Sequence, residues 1–231
     1  MKASVRIRRF GVGLSVALNV LVVALVVWLA AGGMVTLGRA YIVEPTYERS
    51  TSQWDQLPVE AGDTVFLGDS LTDFGDWDEL FPGAHVKNRG IAGDDTAGVL
   101  ARVDQVTDGR PAQVFLLIGT NDLAAGEDEG LIVSNVQEIV DRIHIESPAT
   151  EVFVQSVLPR GDNYREDIES LNERLRVVAG EQDATWVDLY PLFLDEDGSI
   201  ADQYSNDEVH LMGDGYLVWR AAIAEHVTTS G

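Results

Sequence analysis

From about residue 63 onward, short apolar runs alternate with longer stretches of helical period, and no other feature of the chain constrains its fold as tightly. The runs Thr64 to Leu67, Val114 to Ile118, Val152 to Val157 and Thr185 to Val187 have the length and composition of buried strands. A weaker run near His85 to Lys87 adds a fifth. Between them, Val99, Leu100 and Val103 mark one amphipathic helix, and Ile132, Val136, Ile139, Val140 and Ile143 mark a longer one that Pro148 stops. Ile168, Leu171, Leu175 and Val178 give another apolar helix face, and Tyr216, Trp219, Ile223 and Val227 a final one. Strands separated by helices predict βαβ units, hence one α/β domain around a five-stranded parallel sheet. In such an open sheet the ligand site lies beyond the carboxyl ends of the strands.

Those ends carry the reactive groups. Ser70 in Gly68-Asp69-Ser70-Leu71 follows the first strand, Gly93 in Asn88-Arg89-Gly90-Ile91-Ala92-Gly93-Asp94 follows the second, and Asn121 in Gly119-Thr120-Asn121-Asp122 follows the third. Near the C-terminus, Asp207-Glu208-Val209-His210 sets a carboxylate three residues before an imidazole. A serine hydroxyl is a poor nucleophile until an imidazole takes its proton, and the imidazole works best when a carboxylate fixes its tautomer. Attack on an ester carbonyl builds negative charge on its oxygen. The backbone N–H groups of Ser70 and Gly93 and the Asn121 amide are the expected donors to it.

Other conspicuous residues read as structure. Of the four histidines only His210 has a carboxylate at this spacing; His85, His144 and His226 read as packing or surface residues. Asp69 reads as a partner of neighbouring backbone groups, and Asp122 as a structural residue. Asp195-Glu196-Asp197-Gly198 lacks the further ligands of a calcium loop, so no metal and no cofactor is expected. Trp54, Trp77 and Trp219 read as core or docking residues rather than the lining of a sugar site.

Four ordered blocks, Gly68-Asp69-Ser70-Leu71, Gly93, Asn121 and Asp207-x-x-His210, resemble the SGNH, or GDSL-type, hydrolase family from about Val65 to the C-terminus. The resemblance implies Ser70 as nucleophile, His210 as base, Asp207 as acid, and Ser70, Gly93 and Asn121 as the oxyanion hole. It also implies a three-layer, flavodoxin-like arrangement of the α/β domain. Within the family, the Asn88 to Asp94 run, Leu158-Pro159-Arg160-Gly161, His210-Leu211 and Gly215-Tyr216 look most like bacterial relatives of the platelet-activating-factor acetylhydrolase catalytic subunit. Such relatives include acetylesterases acting on sugars and small acyl esters.

The N-terminus is of another kind. Lys2, Arg6, Arg8 and Arg9 in a basic segment, 1–9, precede an uncharged apolar segment, 10–35, long enough to cross a bilayer. An uncleaved signal anchor and a cleaved secretory signal both fit, the length favouring the anchor. Either places residues 1–9 in the cytoplasm and the rest outside, tethered or secreted. Residues 36–62 read as a polar linker that packs onto a hydrolase domain at 63–231, with Tyr41, Tyr47, Trp54 and Leu57 as docking points.

No Asp or Glu precedes Glu44, and beyond Arg39 the chain carries eleven basic against 38 acidic residues, a net charge of −27. Nucleic acid is thereby excluded as a partner, since phosphate needs cations to neutralise it. There is no cysteine, so disulfides and thiolate chemistry are excluded too. The expected protein is a membrane-tethered serine esterase acting outside the cytoplasm on acetyl or other short acyl esters. An envelope O-acyltransferase, a lipase-like esterase and a non-catalytic surface module are the alternatives, and the oligomeric state stays open.

Overall fold

The computed structural model describes residues 18–19, 21–28 and 38–228. The chain divides into two compact units between Pro45 and Thr46. The expected membrane segment, 10–35, falls largely outside the described residues. Residues 18–19 and 21–28 are helical, with side chains such as Leu21 and Val23 exposed. Among the described residues no helix is long and apolar enough to cross a membrane.

The second unit is built on β1 (Thr64–Gly68), β2 (Val86–Gly90), β3 (Gln113–Leu117), β4 (Glu151–Gln155) and β5 (Thr185–Val187). They form one sheet in the order β2-β1-β3-β4-β5, every pair parallel. All five expected strands are present, with ends shifted by a few residues. The helices are α1 (Glu44–Trp54), α2 (Ser70–Asp73), α3 (Trp77–Leu80), α4 (Thr96–Ala101), α5 (Asp104–Thr107), α6 (Thr120–Ala125), α7 (Glu129–Glu146), α8 (Arg165–Glu181) and α9 (Gly213–Ile223).

Side-chain alternation along the strands divides the core in two. Val65 and Leu67 of β1 join Val99, Val106, Ile139 and Leu171 on one face, while Phe66 joins Leu71, Trp77 and Trp219 on the other. Helices α4, α5, α7 and α8 therefore cover the first face, and α2, α3 and α9 the second. This is the three-layer arrangement, in the flavodoxin-like strand order. Parallel register sets Phe66 beside Phe115 and Phe115 beside Phe153, and the rings stack at 5.1 and 4.4 Å. Trp77 closes the stack 4.0 Å from Phe66. Both indoles in this core find acceptors, Trp77 Nε1 at Thr72 O (2.8 Å) and Trp219 Nε1 at Gln155 Oε1 (2.7 Å).

Three expected elements come out differently. The linker, 36–62, contains the helix α1, which tolerates Pro45 because that residue stands in the first turn, where a missing N–H costs nothing. Trp54 at its end is buried under the guanidinium groups of Arg89 and Arg102, 5.0 and 5.1 Å from the ring centre, and Tyr47 donates to Gly98 O at 3.2 Å. Leu57 is exposed, and Tyr41 belongs to the other unit. The helix marked by Val99, Leu100 and Val103 is split into α4 and α5 at Arg102, whose side chain turns inward to Asp94 and to Gly68 O. In the last apolar face, Val227 lies beyond the end of α9.

The strand order also places the site. From β1 the chain moves to β2 on one side, then crosses back to β3 on the other, so the connections after β1 and β3 diverge and open a crevice at their carboxyl ends. The two ends are in close approach: a Cβ on Gly68 would lie 2.2 Å from Leu117 O, which only glycine avoids.

Candidate active site

Ser70 enters this crevice because Asp69 ends the strand and caps α2, its Oδ1 accepting from Leu71 N at 2.9 Å. The Ser70 side chain lies 2.9 Å, Oγ to Nε2, from His210, and His210 Nδ1 lies 2.7 Å from Asp207 Oδ2. Three groups, two of them 140 positions apart in sequence, thus form one hydrogen-bonded chain. The loop that carries the latter two is pinned by an antiparallel bridge between Ser205 and Leu211, and Ser205 Oγ accepts from Val209 N at 3.2 Å. Glu208 takes a left-handed φ of 63°, which folds Asp207 back so that its Oδ1 also accepts from Val209 N (3.0 Å) and His210 N (2.7 Å).

Electrostatics fixes the tautomer. The His210 hydrogen bond, helped by the two backbone N–H groups, holds the Asp207 carboxyl well below the usual carboxylate range. With Asp207 ionised, Nδ1 carries the hydrogen and Nε2 presents its lone pair to the Ser70 hydroxyl. That arrangement can remove the proton of an attacking alcohol.

Gly93 and Asn121 arrive from the neighbouring strand ends. Gly93 has φ +83°, in the region glycine favours, and its turn closes with Asp94 N to Ile91 O at 3.0 Å. Ile91 N donates to Gly68 O at 3.1 Å, and Asn121 Nδ2 donates to Asp94 O at 2.7 Å, so the second loop is tied to both the first and the third. No acceptor among the described residues takes the backbone N–H of Ser70 or Gly93. Asn121 spends one amide hydrogen on Asp94, leaving the other for a ligand.

Beneath these loops lies a buried charged layer that apolar periodicity cannot reveal. Arg102 Nη2 is 2.9 Å from Asp94 Oδ2, both buried, and Asp122 accepts from Thr96 N at 3.1 Å and from Thr96 Oγ1 at 2.5 Å. Burial pushes the Asp94 carboxyl up to about 6 and raises Asp122 as well. Three further residues at the site were not anticipated in these roles. Arg160 Nη1 donates to Thr120 O (2.9 Å) and steadies the residue before Asn121; Asn88 and Phe74 shape the turn after Ser70. Asn88 and Arg160 do lie in the runs that carry the family likeness.

Asp69 is fully buried and desolvation raises its pKa from 3.8 to about 7. The folded chain therefore holds this proton more tightly than the unfolded one, and stability falls as pH rises from about 4 through about 7. Asp69→Asn keeps the oxygen that accepts from Leu71 N. Between pH 5 and 8 the wild type is expected to lose about 2–3 kcal/mol more than this variant, read by urea unfolding at both pH values. Parallel losses would show that Asp69 does not titrate there.

A cavity of about 720 Å³ opens at the amino ends of β4 and β5, among His144, Pro148, Asp183 and His226. Both imidazoles there are half-buried, and the His226 ring lies 5.2 Å from the Phe153 ring. His85 is exposed. Trp54, Trp77 and Trp219 are buried in docking and core positions.

A doubly wound parallel sheet that presents a serine, an imidazole and a carboxylate in one hydrogen-bonded chain at its switch point defines an acyl hydrolase. The chain belongs to the GDSL-like lipase/acylhydrolase family, whose pattern it matches over residues 66–218. It is similar to the platelet-activating factor acetylhydrolase IB subunit alpha1 of Homo sapiens, 34% identical over 164 residues that span 67% of this chain and 70% of that protein. The alpha2 subunit of Rattus norvegicus is 29% identical over the same length. A solved GDSL-like lipase from Bacteroides thetaiotaomicron superposes with TM-score 0.70 at 25% identity, over 78% of this chain and 96% of that one. A Streptococcus pneumonia structure reaches 0.76 at 23% identity, over 85% and 99%, a likeness of fold.

Proposed function

We propose that the protein is a membrane-tethered serine esterase that removes acetyl or other short acyl groups from carbohydrate or small-molecule esters outside the cytoplasm. The hydrogen-bonded chain from Ser70 through His210 to Asp207 carries this reading. His210 takes the Ser70 proton as Oγ attacks the ester carbonyl. The tetrahedral oxyanion is met by the Ser70 and Gly93 N–H groups and the free Asn121 amide hydrogen. On collapse His210 returns the proton to the leaving alcohol. Water, activated by the same imidazole, then hydrolyses the acyl-enzyme and frees the acid.

Short acyl groups are favoured by the likeness to proteins named acetylhydrolases. The tether rests on the uncharged segment 10–35 behind the basic residues 1–9. A series of p-nitrophenyl esters from acetate to palmitate tests the substrate class with the full-length chain. Turnover should fall steeply beyond the shortest acyl groups, and preference for the long chains would replace this reading with a lipase.

Asn121→Ala should lower kcat by about 10²–10³ with little change in KM, because a donor to the oxyanion acts mainly in the transition state. A rise in KM alone would move Asn121 from that role to ground-state binding.

A further inference from the structure

Phe74 is a large apolar side chain left 53% exposed, so core packing does not account for its place. It sits immediately after α2, four residues beyond Ser70, and its backbone N–H donates to Ser70 O at 3.0 Å. Its ring lies 5.3 Å from the His210 ring, inclined by 44°. The turn that holds it is unusually well fastened. Asn88 Nδ2, from β2, donates to the carbonyls of Thr72 (3.1 Å), Asp73 (3.0 Å) and Gly75 (3.2 Å), on both sides of Phe74. Trp77 Nε1 donates to Thr72 O as well, and a Cβ on Gly90 would meet Asp73 N at 2.2 Å, so β2 presses directly against this turn. An exposed aromatic ring is thus pre-organised beside the imidazole, and it loses little freedom when a ligand packs on it.

The chemistry of the step says which part of a substrate meets it. His210 must pass its proton from Nε2 to the leaving oxygen, which brings that oxygen within about 3 Å of Nε2. The first carbons of the alcohol then lie next to the imidazole, within reach of whatever ring flanks it. We propose that Phe74 forms a wall of the leaving-alcohol subsite and makes the enzyme prefer esters whose alcohol presents a flat apolar face. The inference rests on the esterase reading and names a substrate feature within it.

Benzyl acetate and ethyl acetate share an acyl group and differ in the alcohol, so they test it on the full-length chain. The wild type should favour benzyl acetate in kcat/KM. Phe74→Ala should reduce the benzyl-to-ethyl ratio about tenfold, the size of an aromatic contact, and Phe74→Trp should restore it. Phe74→Leu keeps an apolar contact with His210 without a flat face, and should also lower the ratio. Equal losses on both esters would overturn the inference, leaving the ring only a support for the imidazole. An unchanged ratio would overturn it too. A wild type inactive on both esters would remove the esterase reading and this inference with it, whereas a lost ratio effect alone leaves that reading standing.

Discussion

Ser70→Ala is expected to lower kcat on p-nitrophenyl acetate by about 10⁴–10⁶, the range seen when a serine nucleophile is deleted from a comparable triad. The loss should come without unfolding. Ser70 is the first residue of α2, where alanine is a good helix former, and among the described residues its hydroxyl is held by His210 alone. Losing that bond costs about 1 kcal/mol, and the imidazole it leaves, at 37% exposure, can turn to water. Thermal unfolding of the variant should therefore lie within a few degrees of the wild type. A variant that melts normally and still turns over at the wild-type rate would show that another group attacks the ester.

Asp207→Asn comes next, with an expected fall of about 10⁴ in kcat, for a reason of hydrogen-bond direction more than charge. Asp207 is 48% exposed, so water and salt screen its attraction for an imidazolium. Its firmer effect is to demand a hydrogen on Nδ1, 2.7 Å away, which leaves Nε2 bare toward Ser70. An asparagine can keep its Oδ1 on the N–H groups of Val209 and His210 while turning NH₂ toward Nδ1. The imidazole then accepts at Nδ1 and carries its hydrogen on Nε2, and it can no longer take the serine proton. Steady-state kinetics at several pH values would check this. Loss at every pH supports the tautomer argument, whereas recovery of activity at high pH would contradict it.

The sheet was legible because strands β1, β3 and β4 are buried on both faces and read as continuous apolar runs. Strand β2 was faint, since Lys87, Asn88 and Arg89 are polar. Burial of Arg89, which reaches Leu57 O at 2.7 Å, depends on a helix that forms far upstream. That helix, α1, was hidden by Pro45 and by a sequence with few apolar residues, and it shows only where Trp54 docks. Ser70, Gly93, Asn121, Asp207 and His210 could be picked out because glycine turns at strand ends and a carboxylate three residues before an imidazole each leave a local mark. Phe74 left none. Its position is made by an asparagine 14 residues away, through bonds to backbone carbonyls that no side-chain pattern encodes. The Asp94–Arg102 pair escaped for a similar reason, because periodicity registers apolar faces and passes over charges that are buried as partners.

Everything proposed for this enzyme requires that the Ser70 oxygen become covalently bonded to the acyl group. A fluorophosphonate reacts irreversibly with a serine activated by a neighbouring imidazole, so incubation with one, followed by intact and peptide mass spectrometry, tests that requirement directly. The expected result is one adduct per chain, on the peptide containing Ser70, blocked by prior substrate and absent in the Asp207→Asn and His210→Ala variants. An adduct on a different residue, or none under conditions where the ester is hydrolysed, would contradict it.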